Sequence, residues 1–163
     1  MQALIRNGQI VGNDWTVLTE LAADAALPAG RVLLPLTAWE ARRDGLAGRA
    51  PLGVWLDSAE DPARIAQDLA RLDVVAINFP VFSDGRGYSS ARRLREQYRF
   101  QGELRAVGDV LRDQLFYLKR CGFNSFALRQ DQDPAACLEA FGDFSETYQA
   151  AVDQPLPLFR RRG

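Results

Sequence analysis

The chain of 163 residues contains no histidine. That absence removes Ser-His-Asp and Cys-His nucleophile systems, HExxH zinc sites and every imidazole general base, so acid-base work would fall to Asp, Glu or Tyr. Cysteine is scarce too. Cys121 and Cys137 are the only two, too few and too far apart for a zinc or iron-sulfur site within one chain, and no metal is expected. Cys121 stands just before Gly122 at a predicted helix end, where the negative end of the helix dipole disfavours a thiolate. Cys137 falls on an apolar helical face, and both read as reduced core thiols. No apolar run approaches the roughly 20 residues that span a bilayer, and the N-terminus lacks a signal-peptide layout. A cytoplasmic protein without membrane contact is therefore expected. Lys119 is the only lysine among 20 basic residues, and arginine richness of this kind is weak evidence of anion binding. A formal net charge of −1 argues against a general nucleic-acid binder, whose footprint is strongly basic.

What is present is globular. Hydrophobic residues make up 47% and charged residues 25% of the chain, enough for one domain with a substantial core. Ala3 to Arg6 and Gln9 to Val11 flank Asn7-Gly8, the pair that supplies both positive-φ positions of a type I′ hairpin turn. Trp15 to Leu21 fits a strand or the start of a helix. From Arg31 onward strand and helix patterns alternate. The predicted strands are Arg31 to Leu36, Leu52 to Asp57, Val74 to Asn78, Glu103 to Val107 and Ser125 to Arg129. Thr37-Ala38-Trp39-Glu40 reads as a capping box, Asp61-Pro62 and Asp133-Pro134 as helix openings, Asp109 as a cap and Gly122 as a helix stop. On the helix after residue 90, Arg92 and Glu96 pair at i,i+4, while Arg95 and Arg99 read as a solvated face.

About five βα units in succession imply an α/β fold with a mostly parallel sheet behind an N-terminal β-hairpin. A flavodoxin-like sandwich and a partial βα barrel completed by a partner subunit both fit the spacing. Residues 1–152 are read as the single α/β domain. Residues 153–163, with two prolines, Phe159 and three arginines, read as an extended basic tail. In either architecture ligands gather at the carboxyl ends of the strands, which brings Asp57, Asn78, the Ser83 to Ser89 loop, Asp109 and Arg129 toward one edge.

The most informative stretch is Phe79 to Arg95. It follows the apolar run Val74 to Asn78 and places Ser83-Asp84-Gly85-Arg86-Gly87 before Ser89 and Ser90, which can cap the next helix. Gly85 and Gly87 would permit positive φ and close backbone approach, so strand, glycine loop and helix start together suggest an anion pocket with Arg86 as a charged fork. A connection shaped only by turn geometry fits the same residues, and neither GxGxxG nor GxxxxGK[ST] is present. The candidate ligand-binding set is Asn78, Ser83, Asp84, Gly85, Arg86, Gly87, Tyr88, Ser89 and Arg129. Asp84 and Asp109 are the candidate catalytic carboxylates.

The segment Phe79-Pro80-Val81-Phe82-Ser83-Asp84-Gly85-Arg86-Gly87-Tyr88-Ser89, with Gly102 to Gly108, Arg112-Asp113-Gln114 and Gly122-Phe123, resembles a family of uncharacterised bacterial proteins, a domain of unknown function. Genes of that family lie beside sulfite reductase, and its members are labelled probable oxidoreductases of sulfite reduction. The resemblance covers roughly Leu52 to Phe144 and supplies no catalytic residues. It implies a role in assimilatory sulfate or sulfite reduction and cysteine biosynthesis, with sulfite reductase or another enzyme of that pathway as partner. The leading expectation is an accessory protein binding a small anion or a phosphate-bearing cofactor, such as a flavin or nucleotide, at the Ser83 to Ser89 loop. An oxidoreductase-type enzyme using Asp and Arg at that loop, and a scaffold docking through its tail, are the alternatives. Homo-oligomerisation is compatible with each.

Overall fold

The computed structural model describes residues 3–22, 24–49, 51–81, 83–139 and 141. The basic tail at 153–163 and Phe144 lie outside these residues. Eight strands form one sheet: β1 (Ala3–Arg6), β2 (Gln9–Gly12), β3 (Thr16–Val17), β4 (Val32–Pro35), β5 (Leu52–Leu56), β6 (Val74–Phe79), β7 (Glu103–Gly108) and β8 (Ser125–Ala127). Their spatial order is β2-β1-β8-β7-β6-β5-β4-β3. Strands β3 to β8 run parallel, and β1 closes on β8 antiparallel, carrying β2 as a hairpin. Asn7 (φ 52°) and Gly8 (φ 80°) make the expected turn.

Consecutive parallel strands stand next to one another with no reversal of order, which a doubly wound sandwich requires. Right-handed crossovers then fall on one face, and the sheet curls into a half-barrel. The connections on that face contain α1 (Leu36–Arg42), α2 (Arg86–Arg92) and α3 (Leu115–Cys121), with α4 (Pro134–Glu139) following β8. The link between β5 and β6, Pro62–Arg71, is a 3-10 coil. Asp61 opens it by accepting from the Ala63 N–H at 2.9 Å, and Asp133 does the same for α4 through Ala135 at 3.1 Å.

Strand alternation divides the interior in two. Val32, Leu34, Val54, Leu56, Val75, Ile77, Leu104, Ala106 and Phe126 pack under the helices with Trp39, Ile65, Leu94, Leu118 and both free cysteines. Leu33, Val74 and Ala76 point to the concave face, where Trp15, Trp55 and Val107 join them. Burial raises both thiols above their ordinary range, as expected of inert core cysteines.

Three helix starts differ from the sequence expectation. Thr37 is not a cap, because α1 already begins at Leu36 after Pro35. Ser89 and Ser90 lie inside α2, which starts at Arg86. Asp109 does not cap α3. A 3-10 turn at Arg112–Gln114 leads into that helix, and the Gln114 side chain accepts from the Leu111 N–H at 3.3 Å. The expected αL stop at Gly122 is present, with φ 118°. Beyond α2 the chain widens into a π-turn, Arg93–Gln97. Arg95, expected on a solvated face, is turned inward there and donates to the carbonyls of Gly122, Phe100 and Gly102 at 2.8 to 2.9 Å. The Gly122 carbonyl at the end of α3 and the two loop carbonyls ahead of β7 satisfy the buried guanidinium, which is why a cation is tolerated at that depth.

Candidate functional site at the carboxyl rim

The carboxyl ends of β5 and β6 carry two linked side-chain groups. Asn78, the inward-facing residue near the end of β6, donates from Nδ2 to Asp57 Oδ1 at 3.1 Å. That oxygen also accepts from the Ser58 N–H at 2.9 Å, and Glu60 Oε1 accepts from the Asp57 N–H at 2.8 Å. Beside them Arg86 is gripped along one edge. Its Nε and Nη2 donate to Asp84 Oδ1 (3.1 Å) and Oδ2 (2.7 Å), and Nη2 donates to Ser58 Oγ at 3.0 Å. Asp84 Oδ1 also accepts from the Arg86 N–H at 3.0 Å, so this carboxylate, rather than a serine, caps the start of α2. The guanidinium, the main-chain N–H and Ser58 together hold the Asp84 carboxyl far below the usual carboxylate range. Asp84 in turn raises Arg86.

Neither loop glycine has the positive φ expected of it. Gly85 precedes α2 at φ −84°, with open space where a side chain would stand. Gly87 is helical and buried. A Cβ there would lie 2.7 Å from two ring carbons of Phe79 and 3.1 Å from Ile77 Cγ2, so this glycine lets α2 sit closely on β6. Tyr88 is half-buried against Phe79 and Tyr117, with ring centroids 5.3 and 4.9 Å away, and burial raises its phenol. Ser83 and Ser89 are exposed. Of the expected set, Asn78, Asp84 and Arg86 are thus brought together with Asp57, whereas Gly87 and Tyr88 serve the packing of the helix.

Arg129 belongs to a second rim group at the ends of β7 and β8. It donates to Asp131 Oδ1 at 2.6 Å and to Asp109 Oδ1 at 2.8 Å. Hydrogen bonding to Arg129 pulls Asp131 down to about 2. Both candidate catalytic carboxylates are therefore engaged by arginines.

Ser58 and Asp131 escaped the sequence reading. Ser58 follows a strand end with no motif around it. Asp131 could have been found as an acid two residues beyond Arg129. Between the two sides of the half-barrel, below Asn78, the concave face leaves a cavity of about 270 Å³. Among the described residues no group of metal-ligating side chains gathers, and no helix is long and apolar enough to cross a membrane.

Fold and rim together define a half-barrel α/β protein with a hydrogen-bonded carboxyl-end site. Residues 53–159 match the family described as bacterial protein of unknown function (DUF934), and the chain belongs to it. No curated protein matches the chain.

Proposed function

We propose that this is an accessory ligand-binding protein of assimilatory sulfate or sulfite reduction, which holds a small singly charged oxyanion at the rim formed by Ser58, Asp84 and Arg86. The observation that carries the reading is the state of Arg86. Its side chain is 61% exposed, yet one edge is fixed by Asp84 and Ser58, while no described residue accepts from Nη1. A guanidinium fixed on one edge loses little further freedom when its other edge takes a ligand. The nearby Asp57 and Asp84 carboxylates repel multiply charged anions, which favours a monoanion such as hydrogen sulfite over sulfate. The pathway rests on the resemblance of the Phe79 to Ser89 segment to proteins encoded beside sulfite reductase.

The enzymatic alternative is weaker on one count. An Asp84 whose carboxyl is held far below its ordinary range is a poor general base near neutral pH. Calorimetric titration of sulfite, sulfate, phosphate and flavin mononucleotide into wild type and Arg86→Ala tests the proposal. Sulfite should bind wild type, and Arg86→Ala should lose about 1.5 to 3 kcal/mol of that binding. Equal binding to both proteins, or none to either, would remove the rim site.

A further inference from the structure

We propose that the concave face of the half-barrel is a second binding site, one for a small organic monocarboxylate whose apolar body lies against Trp55 and Val107 and whose head group meets Arg105. The cavity there measures about 270 Å³, just under the range of about 300–1,000 Å³ that takes drug-sized ligands, so a fragment-sized occupant fits. Its walls are largely hydrocarbon, supplied by Leu33, Trp55, Ala76, Val107 and Ala127. Trp55 is fixed in place, since its indole N–H donates to the Leu18 carbonyl at 2.9 Å.

The polar end is Arg105, which is only 1% exposed although it borders the cavity. Its Nε and Nη2 donate to Glu103 Oε2, and Nη1 donates to Asn13 Oδ1 at 3.2 Å. A guanidinium has five N–H groups, of which three are used here, so one remains on each terminal nitrogen for a carboxylate head group. Charge favours the same ligand. Glu103 is shared between Arg105 and Arg6, the latter at 3.6 Å, so the three groups carry one net positive charge. No acidic side chain is among the described residues that line the cavity. A bare inorganic oxyanion would lose its hydration against apolar walls, whereas a carboxylate on a hydrocarbon body matches both the walls and the guanidinium.

The three tryptophans supply the readout. Trp15 and Trp55 lie on the concave side and Trp39 lies under the helices. In a two-dimensional nitrogen-15 spectrum, benzoate should shift the Trp55 and Trp15 indole signals saturably and leave Trp39 in place. Benzamide, of the same shape but uncharged, should bind roughly tenfold more weakly or worse. Val107→Phe, which fills the cavity from its side wall, should abolish the shifts while the Trp39 signal keeps its folded position. If that variant does not fold, Ala127→Val serves in its place. The proposal is overturned if neither benzoate nor butyrate gives a saturable shift at Trp55, if benzamide binds as tightly as benzoate, or if the folded cavity-filling variant keeps its affinity.

Discussion

Replacing Gly87 separates a packing role from a ligand role for the most distinctive segment of the chain. The residue is helical, with its Cα hydrogens against β6, and an added Cβ would stand 2.7 Å from Phe79 Cε1 and Cζ. That ring cannot swing away, because Phe79 is 2% exposed and already packs on Tyr88 and Phe123 at centroid distances of 5.3 and 5.9 Å. Forcing an extra carbon into a filled core costs about 1 to 3 kcal/mol. Alanine recovers about 1 kcal/mol of that through its better helix propensity, so Gly87→Ala should lose about 1 kcal/mol. Valine recovers less and adds two further carbons, so Gly87→Val should lose about 3 kcal/mol. Gly85 is the control. It sits two residues away at φ −84° with nothing within 4 Å of the place a Cβ would take, so Gly85→Ala should gain about 0.4 to 1 kcal/mol through the unfolded chain. Urea unfolding followed by circular dichroism reads all three midpoints. If Gly87→Ala is as stable as Gly85→Ala, close packing of α2 on β6 is not what the glycine provides.

Other perturbations probe the charges that hold the fold. Glu103→Ala strands the buried Arg105 guanidinium and should cost about 3 to 5 kcal/mol, measured by the same unfolding experiment; a loss below about 1 kcal/mol, the scale of an exposed pair, would show that the pair is solvated. Asp68 accepts from the Trp39 indole N–H at 2.9 Å and pairs with Arg43 at 3.0 Å. Asp68→Ala should therefore lose about 1 to 3 kcal/mol, most of it regained in Asp68→Asn, whose amide oxygen still accepts. Asp131 is depressed from 3.8 to about 2 by Arg129. A depressed carboxylate stabilises the fold above its unfolded value and loses that contribution as pH falls through its folded value, so this contribution should fade between pH 3.8 and about 2. The carboxyl carbon-13 titration of Asp131 should have its midpoint near 2 in wild type and return toward 3.8 in Arg129→Gln.

Much of the sheet was legible because its strands are short apolar runs bounded by turn residues. The Asn7-Gly8 hairpin and the two Asp-Pro openings are local chemistry, and they stand where local chemistry put them. The choice between sandwich and half-barrel was not local. It depends on whether strand order reverses, which is decided by which strands pair across long separations. The helix starts misread at Thr37, Ser89 and Asp109 share one cause. A capping side chain announces itself by type, but each helix was entered elsewhere: α1 directly after Pro35, which makes no side-chain cap bond, α2 behind the Asp84 carboxylate, and α3 through the 3-10 turn Arg112–Gln114.

The rim divided along the same line. Asn78 and Arg86 could be placed at one edge from strand ends alone, and the grip of Asp84 on Arg86 spans only two residues, whereas the bond from Arg86 to Ser58 required the register of β5 against β6. Arg105 was read only as a strand residue, because a lone arginine in an apolar run gives no sign that its partner is two residues away on the same face. Arg95 was misassigned because the π-turn shifts the helical face after Arg92, which no periodicity of about 3.6 anticipates.

Whether a small oxyanion meets the rim can be measured directly. Amide nitrogen-15 shifts recorded while sulfite is titrated into the protein would map it residue by residue. Rim binding predicts saturable shifts concentrated at Ser58, Asp84, Gly85 and Arg86, absent in Arg86→Ala. Shifts that fail to saturate, or that are spread evenly over exposed arginines including Arg129, would contradict it.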